Sequence, residues 1–303
     1  MGFKKNLILA EELHKPVRHK FPKRRIYVEG IDNIWAGDLM DVSSLSKANK
    51  GIKFILAVID IFSKYGWLVP LKDKKGETVA NALKTIFKER KPEKLWVDRG
   101  REFYNRNVKE LIDIYSTNNE EKSTVVERWI RTMKEKMYKY FTANSTHVYT
   151  DILQDLVREY NNTKHSSIKM TPIQASKKIN ENIVYSNLYP VKITKPIKPK
   201  FAVGDKVRIV KKKNIFTKGF QPRWTEEIFT VKEVLYTNPP TYEIQDFNNE
   251  VITGSFYEPE LQKTKQEIYR IEKVVKRRGN KLFVKWKGYP AEFNSWINKS
   301  DLS

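Results

Sequence analysis

The order of its periodic segments constrains the fold of this 303-residue chain more than any other feature. Three runs rich in Val, Ile and aromatic residues, at 35–42, 54–62 and 67–70, follow one another with short connections, which predicts adjacent antiparallel strands. Apolar residues at helical spacing over 78–90 then lead into a short apolar run at 94–98. This order predicts an α/β unit in which a helix packs on a mixed sheet.

Helices dominate the next part of the chain. Apolar spacing predicts them over 106–114, 123–141 and 149–160. The segment Thr171-Pro-Ile-Gln174 has the sequence of a capping box with Pro at the first helical position, so another helix is expected to begin there. A basic stretch that contains Pro, 191–200, indicates a linker and a domain boundary.

Beyond this linker the alternating pattern of strands returns. Short apolar runs separated by turn residues are typical of a small all-β barrel. They lie at 206–210, 227–234, 241–245 and 250–254. A third unit, 269–303, is predicted to contain two strands around a turn at Arg278-Gly279-Asn280.

The charge balance predicts polyanionic partners, because 58 Lys and Arg against 36 Asp and Glu give a net charge of +22. The absence of Cys excludes disulfides, iron–sulfur clusters and Cys-containing zinc sites. No apolar run approaches the length of about 18 residues that a membrane span needs. The basic clusters alternate with predicted folded elements, which favours nucleic acid over a membrane surface.

Three acids stand out because each lies where a strand or helix would present it at a sheet edge. Asp38 lies within the first strand, Asp98 closes a later strand before an Arg-Gly turn, and Glu127 lies near the start of a helix. The carboxyl end of a strand is a common location of sites in open α/β sheets, so Asp38 and Asp98 meet if their strands are neighbours. Alternation places Asp41 on the opposite face from Asp38.

Clustered carboxylates repel one another unless a hard cation such as Mg²⁺ or Mn²⁺ compensates them. Two such ions can activate a nucleophilic oxygen and stabilise the leaving oxygen in phosphoryl transfer. On helical spacing Glu127 shares a face with Arg131 and Lys134, which are expected to hold a DNA backbone. Each acid taken alone is more often a cap or a solvated residue. For Asp60, a turn-initiating role is at least as well supported as a catalytic one.

Three motifs resemble the retroviral-type integrase core and follow the order of that family. They are Trp-Ala-Gly-Asp38-Leu, Trp-Val-Asp98-Arg-Gly-Arg-Glu-Phe103 and Lys-Ser-Thr-Val-Val-Glu127-Arg-Trp-Ile-Arg-Thr132. Phe62-Ser-Lys-Tyr65 and His165-Ser-Ser-Ile-Lys-Met-Thr-Pro172 are also similar to integrases of Maverick/Polinton transposons and virophages. The resemblance implies a ribonuclease-H-like core with a mixed five-stranded sheet. It also implies that Asp38, Asp98 and Glu127 are catalytic and bind two Mg²⁺ or Mn²⁺ ions.

The spacing of the last two acids departs from the family pattern, because only 28 residues separate Asp98 from Glu127. Either the helix before Ile114 is shortened and the next strand is kept, so that Glu127 still reaches the site, or the strand is disrupted and the site is misaligned. Glu135 would restore a longer spacing, but it lacks the Val-Val-Glu-Arg context.

Basic residues crowd the linker and the start of the predicted barrel, where nine Lys or Arg within 191–213 accompany a single Asp. Such a run is usually a solvated face, but in a chain this basic it favours a phosphate-binding stripe that gives affinity without sequence choice. The predicted DNA-binding residues are Lys198, Lys200, Lys211, Lys212 and Lys213. The segments 201–209 and 224–229 resemble the SH3-like DNA-binding barrel that follows the core in this family, with Trp224 expected in its core.

The last segment has a different signature. Tyr269-Arg-Ile-Glu-Lys-Val and Leu282-Phe-Val-Lys-Trp286-Lys-Gly-Tyr289-Pro, followed by Asn294-Ser-Trp296, resemble a chromodomain. In that family the residues that match Tyr269, Trp286 and Tyr289 form an aromatic cage for a methylated ammonium group, held by cation–π attraction. Trp296 matches a core position. The alternative is that all of these aromatic residues only build a small core.

The sequence therefore predicts a DNA integrase made of several units. They are a basic N-terminal arm (1–30), which would contact DNA in place of a zinc-binding domain, a ribonuclease-H-like catalytic core (31–185), a basic linker (186–200), an SH3-like barrel (201–262) and a chromodomain (266–303). The expected partners are double-stranded DNA, a methylated histone tail and further copies of the chain in a dimer or tetramer, with no membrane. The expected location is the host nucleus, or a virion. The alternative is a catalytically inactive chromatin tether derived from such an integrase.

Overall fold

A computed structural model describes residues 2–18, 20–117, 124–190, 197–211, 220–264 and 267–302. The chain divides into two compact units, and each is described by itself. The first comprises Ile26–Ile193, and the second comprises Met1–Arg25 together with Thr194–Ser303. In the described part of the chain, the helices are all too short or too polar to cross a membrane.

The helices and strands are numbered in chain order. The α-helices are α1 (Gly2–His14), α2 (Gly76–Phe87), α3 (Arg106–Lys109), α4 (Thr124–Asn144), α5 (Leu153–Asn161), α6 (Pro172–Ala175) and α7 (Glu181–Leu188). The strands are β1 (Ile34–Asp41), β2 (Phe54–Asp60), β3 (Gly66–Leu71), β4 (Lys94–Trp96), β5 (Asp113–Tyr115), β6 (Lys206–Ile209), β7 (Phe229–Leu235), β8 (Thr241–Gln245), β9 (Phe256–Tyr257), β10 (Leu261–Lys263), β11 (Ile271–Arg278), β12 (Lys281–Trp286) and β13 (Ser295–Asn298). Short 3₁₀ helices span Ser43–Ala48, Lys178–Asn180, Glu258–Glu260, Ala291–Phe293 and Lys299–Leu302.

The first unit is built on a five-stranded mixed sheet with strand order β3-β2-β1-β4-β5. β1, β2 and β3 pair antiparallel, whereas β4 pairs parallel with both β1 and β5. This arrangement confirms the mixed sheet predicted from the order of the periodic segments.

Helices cover both faces of this sheet because its strands alternate between two apolar cores. Ala36 and Met40 of β1 pack in one core with the buried face of α4, whereas Trp35 packs in the other with Val79 and Leu83 of α2. The buried residues of α4 recur at helical spacing. They are Val126, Trp129, Met133, Met137 and Phe141.

The structure corrects the predicted helix over 106–114. Asn105 caps α3 by accepting a hydrogen bond from the Val108 amide at 3.2 Å, but the helix ends at Lys109. The chain then forms β5, which pairs in parallel with β4 in the register Lys94↔Asp113. The pairing of β5 with β4 at the edge of the sheet therefore outweighs the helical spacing of the apolar residues in this segment. The helix before Ile114 is thus shortened and the strand is kept, which is the first of the two alternatives for the short acidic spacing.

Asp60 has a structural role at the end of β2. Its side chain is fully buried, and it accepts hydrogen bonds from the Phe62 amide at 3.0 Å and the Ser63 hydroxyl at 2.5 Å. An Arg90 nitrogen lies 3.1 Å from it. Burial nonetheless raises the pKa of this carboxyl, with the hydrogen bonds and Arg90 opposing the shift. These contacts support the turn-initiating interpretation of Asp60.

The second unit contains a five-stranded antiparallel sheet of order β10-β6-β7-β8-β9, with buried Val207, Phe229 and Ile244 in its core. The predicted strand over 250–254 is wrong, because this segment contributes a single bridge, Gln245↔Val251. The Asp246 carboxylate accepts hydrogen bonds from two nearby amides and closes a turn there instead. The next strand, β9, begins at Phe256.

The N-terminal residues belong to this second unit. Leu9 and Leu13 of α1 lie four residues apart on one face of the helix and pack against Trp224, which is 4% exposed. The Trp224 indole donates to the Lys15 carbonyl at 2.9 Å. The expectation that Trp224 is a core residue is confirmed. The segment predicted as a basic arm therefore contains a helix that shares an apolar cluster with the barrel segment.

A three-stranded antiparallel sheet, β11-β12-β13, completes the chain. β11 and β12 are joined at Gly279, whose φ of +55° favours glycine, as the sequence predicted for this turn. Trp296 differs from the expectation of a core residue. Its side chain is 45% exposed and contacts Phe283 on one side.

Candidate functional site

The three predicted acids line one cavity in the first unit. Asp38 lies in β1, Asp98 follows β4 by two residues, and Glu127 lies in the first turn of α4. The walls of the cavity consist of these acids and four neighbours, which are Gly37, Trp96, Val97 and Val126. The structure therefore brings together the residues that the sequence separates by up to 89 positions.

The strand register explains why the two aspartates are neighbours. β1 and β4 run parallel with Ala36 opposite Trp96. Asp38 and Asp98 each lie two residues beyond that pair. They therefore occupy equivalent positions along two neighbouring strands, at the carboxyl end of β4. α4 packs across β1 and β2 and places Glu127 at the same cavity.

The carboxylates differ in their surroundings. Asp38 and Asp98 are half-buried, whereas Glu127 is exposed. Asp38 accepts a hydrogen bond from the Leu39 amide at 2.7 Å. Asp41 is exposed elsewhere on the strand, and a hydrogen bond from the Ser43 amide at 2.8 Å lowers the pKa of its carboxyl.

The donor set suits a hard divalent cation, because it consists of carboxylates without soft ligands. Within the described residues, however, no three Asp, Glu or His side chains converge closely enough to hold a metal ion. The three acids thus share a cavity without forming a preformed coordination sphere. Binding of a cation would require the side chains to draw together.

The predicted DNA-binding residues fall in both units. Arg131 and Lys134 are exposed on α4, one and two turns after Glu127. In the second unit Lys198, Lys200 and Lys211 are exposed, and Lys200 lies 4.0 Å from Glu258. Lys212 and Lys213 lie outside the described residues.

The predicted aromatic cage surrounds a pocket of about 380 Å³ in the second unit. The ring of Tyr269 lies 6.2 Å from that of Trp286 and 6.0 Å from that of Tyr289, measured between centroids. The Trp286 indole donates to the Ser295 hydroxyl at 2.9 Å, which fixes the ring. Burial raises the pKa of Tyr269 to about 12, so this residue is a neutral phenol at pH 7.

Sequence reasoning missed several residues of this pocket, and two of them bear on its chemistry. Phe247, which is 69% exposed, and Glu292 also line it. Phe247 follows β8, outside the segment that carries the chromodomain resemblance, so no motif pointed to it. Glu292 follows Tyr289-Pro closely in the chain and could have been found as an acid next to the cage.

Comparisons with known proteins support the class of fold. No family model matches the chain. A transposon-derived protein of Caenorhabditis elegans is 38% identical over 195 residues, which cover 62% of this chain and 65% of that protein. A chain of the simian T-cell lymphotropic virus intasome, solved in complex with a regulatory subunit of PP2A, aligns with a TM-score of 0.58 and 17% identity, covering 84% of this chain and 86% of that chain.

The structural comparison identifies the fold, and the sequence comparison identifies a relative. The chain has an integrase-like fold, with the mixed five-stranded sheet and flanking helices of a ribonuclease-H-like core. In sequence the chain is similar to the transposon-derived protein, and it spans slightly less than two thirds of that protein's length.

Proposed function

We propose that this chain is a DNA integrase, a polynucleotidyl transferase that trims the 3′ ends of a mobile element and joins them to target DNA. The observation that carries this proposal is the convergence of Asp38, Asp98 and Glu127 on one cavity of an integrase-like fold. The transposon-derived relative supports the same class of substrate.

Asp38, Asp98 and Glu127 are the residues that would hold the divalent cations, Mg²⁺ or Mn²⁺. When bound, two such ions activate the attacking oxygen and stabilise the leaving oxygen. Arg131 and Lys134 lie on the same helix as Glu127 and would hold the DNA backbone. In the trimming step water attacks a phosphodiester near the element end, the bond from phosphorus to the 3′ oxygen breaks, and a 5′-phosphorylated fragment leaves. The new 3′ hydroxyl then attacks a phosphodiester of target DNA in line and displaces a 3′ oxygen of the target, so neither step needs a covalent protein intermediate.

We also propose the kind of mobile element, the oligomeric state, the location and the role of the barrel. The motifs around Tyr65 and Pro172 support an element of the Maverick/Polinton or virophage kind. Joining two DNA ends requires at least a dimer, and chromosomal target DNA implies the host nucleus. The exposed Lys198, Lys200 and Lys211 support an SH3-like, DNA-binding barrel that holds phosphates without sequence choice.

A disintegration assay tests the proposal, because this reversal of joining depends least on the correct end sequence. The full chain is incubated with a branched DNA intermediate, with and without Mn²⁺. We expect resolved products only when Mn²⁺ is present. A well-folded chain that binds the DNA and yields no product under either condition would contradict the integrase assignment.

A second candidate function is a chromatin tether, and the aromatic pocket favours it. Tyr269, Trp286 and Tyr289 surround one pocket with the carboxylate of Glu292 at its wall. Aromatic faces attract a methylated ammonium group, and an acid adds a Coulombic attraction. In an inactive tether, this pocket and the basic barrel would bind histone tail and DNA without catalysis.

Replacement of one cage residue tests this candidate. Trp286→Ala is expected to weaken binding of a trimethyllysine histone peptide about five- to thirtyfold, since a desolvated cation–π contact is worth about 1–2 kcal/mol. Fluorescence anisotropy with a labelled peptide measures the affinity. Trp296→Ala is the matched control, because Trp296 is exposed and does not line the pocket. Equal affinity of the wild-type chain for methylated and unmethylated peptide would rule out a methyl-lysine cage.

A further inference from the structure

A larger cavity, of about 450 Å³, lies elsewhere in the first unit and shares no lining residue with the cavity of the three acids. Its walls come from the turn between β2 and β3, from the first turns of α4, and from the segment that follows α5. The volume is in the range of small-molecule sites. The five residues of the first unit to which the proposed function gives a role, Asp38, Asp98, Glu127, Arg131 and Lys134, do not line it.

Cations dominate the charged residues of this cavity. Four of them line it from three separate parts of the chain. They are Lys64, Arg128, Lys136 and Lys164. The described lining residues include no Asp or Glu. Lys136 has an acidic partner at its margin, Glu159, at 2.7 Å.

Two of the cavity cations, Lys64 and Arg128, lie close enough to interact. Burial lowers the pKa of Lys64 to about 8, with Arg128 adding to the shift and Asp60 opposing it. The Lys64 ammonium donates to the Ile61 carbonyl at 2.6 Å. Asp60 does not line the cavity, and its carboxylate is engaged by Ser63 and Arg90.

Uncharged donors supplement these cations. Burial lowers the pKa of His165 to about 4, and the positive charges of Lys64 and Arg128 add to this shift, so the ring is neutral at pH 7. Its Nδ1 lies 3.0 Å from the Ser167 hydroxyl. Trp129 lines the cavity, is 2% exposed, and its indole N–H has no hydrogen-bond partner in the described part of the chain. A buried donor without a partner is costly.

We propose that this cavity binds linked phosphate groups, supplied either by a free polyphosphate or by consecutive phosphates of a nucleic-acid strand. Its volume exceeds the needs of one phosphate, and its cations approach from separate walls, so an extended polyanion can contact several at once. Hydrogen bonds from charged donors to phosphate are the strongest that such side chains make. The ion pair of Lys136 and Glu159 is open to solvent on its acidic side, where Glu159 is 60% exposed, so Lys136 can exchange this partner for a phosphate.

Isothermal titration of the full chain with tripolyphosphate tests the proposal. The double variant Arg128→Gln/Lys164→Gln removes two exposed cavity cations and is expected to weaken binding at least about tenfold. The double variant Lys84→Gln/Lys88→Gln removes the same charge from exposed positions in α2 and directly after it, and should stay within about twofold of the wild type. Equal weakening in the two double variants, or no weakening in the first, would overturn the proposal.

Competition identifies the source of the phosphates. If the cavity takes nucleic-acid phosphates, a short DNA duplex displaces tripolyphosphate, and the cavity variant has a shallower dependence of DNA affinity on salt. If the ligand is a free polyphosphate, DNA leaves tripolyphosphate bound. The inference stands apart from the proposed function, because Asp98→Asn should abolish DNA joining and retain tripolyphosphate binding.

Discussion

Asp98→Asn is expected to reduce disintegration and strand transfer by at least about a hundredfold. Loss of one anionic ligand weakens the cation site, which contributes several kcal/mol to the stabilisation of transition-state charge, and about 2.7 kcal/mol corresponds to a hundredfold in rate. Asn preserves the size of the side chain and removes only its charge. Asp38→Asn and Glu127→Gln should behave alike, because all three carboxylates line the same cavity. Single-turnover rates with Mn²⁺ provide the measurement.

Two control variants make this result specific. Asp41→Asn removes an exposed carboxylate three residues after Asp38 in β1, outside the cavity, and should retain activity within about twofold. Glu135→Gln distinguishes the two candidates for the third acid, because Glu135 also lies on α4 but does not line the cavity. Full activity of Glu127→Gln together with inactivity of Glu135→Gln would show that the assignment of the third acid is wrong.

Metal binding can be measured without DNA. The melting temperature of the wild-type chain should rise with millimolar Mn²⁺, because a ligand that binds only the native state stabilises it by mass action. The stabilisation should disappear in Asp98→Asn and persist in Asp41→Asn. An identical rise in both variants would indicate that Mn²⁺ binds at a place other than the cavity of the three acids.

Many helices and strands of the first unit could be predicted from the sequence, because they follow from local patterns of apolar residues. The alternation in 35–42 and 54–62 identifies strands, and the helical spacing from Val126 to Phe141 identifies the buried face of α4. The prediction failed at 106–114, where a pattern of apolar residues fits both a short helix and an edge strand. Only the pairing of β5 with β4, which joins distant parts of the chain, decides between them.

The site was predictable in part for a related reason. Motif context located Asp38, Asp98 and Glu127, but their convergence depends on the parallel register of β1 with β4. The phosphate cavity was not predicted, although Lys64 and Arg128 lie within the quoted motifs, because its residues come from three separate segments that only the fold brings together. The partnership of α1 with the barrel segment was hidden as well, since the many cations around Leu9 and Leu13 made the segment resemble a solvated arm.

That partnership contains the buried ion pair on which the stability of the second unit should depend most. Arg208 of β6 is fully buried, and its Nε lies 3.4 Å from a carboxylate oxygen of Glu12 in α1, which is 7% exposed. Arg208 also donates to the carbonyls of Thr225 at 3.1 Å and Glu226 at 2.5 Å. The Thr264 hydroxyl donates to the same Glu12 carboxylate at 3.1 Å. The guanidinium therefore has one anionic partner among its hydrogen-bonding contacts in the described residues.

Glu12→Gln is expected to lower the free energy of unfolding by about 3–5 kcal/mol, because it leaves the buried guanidinium without a compensating charge. Gln keeps the volume of the side chain and its capacity to accept a hydrogen bond from Thr264. The loss of stability therefore measures the effect of removing the negative charge. Glu272→Gln is the matched control. Glu272 pairs with Lys285 at 2.9 Å in a partly exposed position, and its replacement should cost less than about 1 kcal/mol. Urea denaturation, followed by circular dichroism, measures both values.

The double variant Glu12→Gln/Arg208→Met should recover much of the loss. Replacement of a buried ion pair by uncharged groups of similar volume is often neutral or stabilising, whereas removal of one partner is costly. The two single variants should therefore each be less stable than the double variant, with a coupling energy of about 2 kcal/mol or more. Additive losses would mean that Arg208 is compensated by its two carbonyl acceptors alone. In that case α1 would be held to the unit by its apolar contacts with Trp224 and by its hydrogen bonds to neighbouring residues, and not by charge.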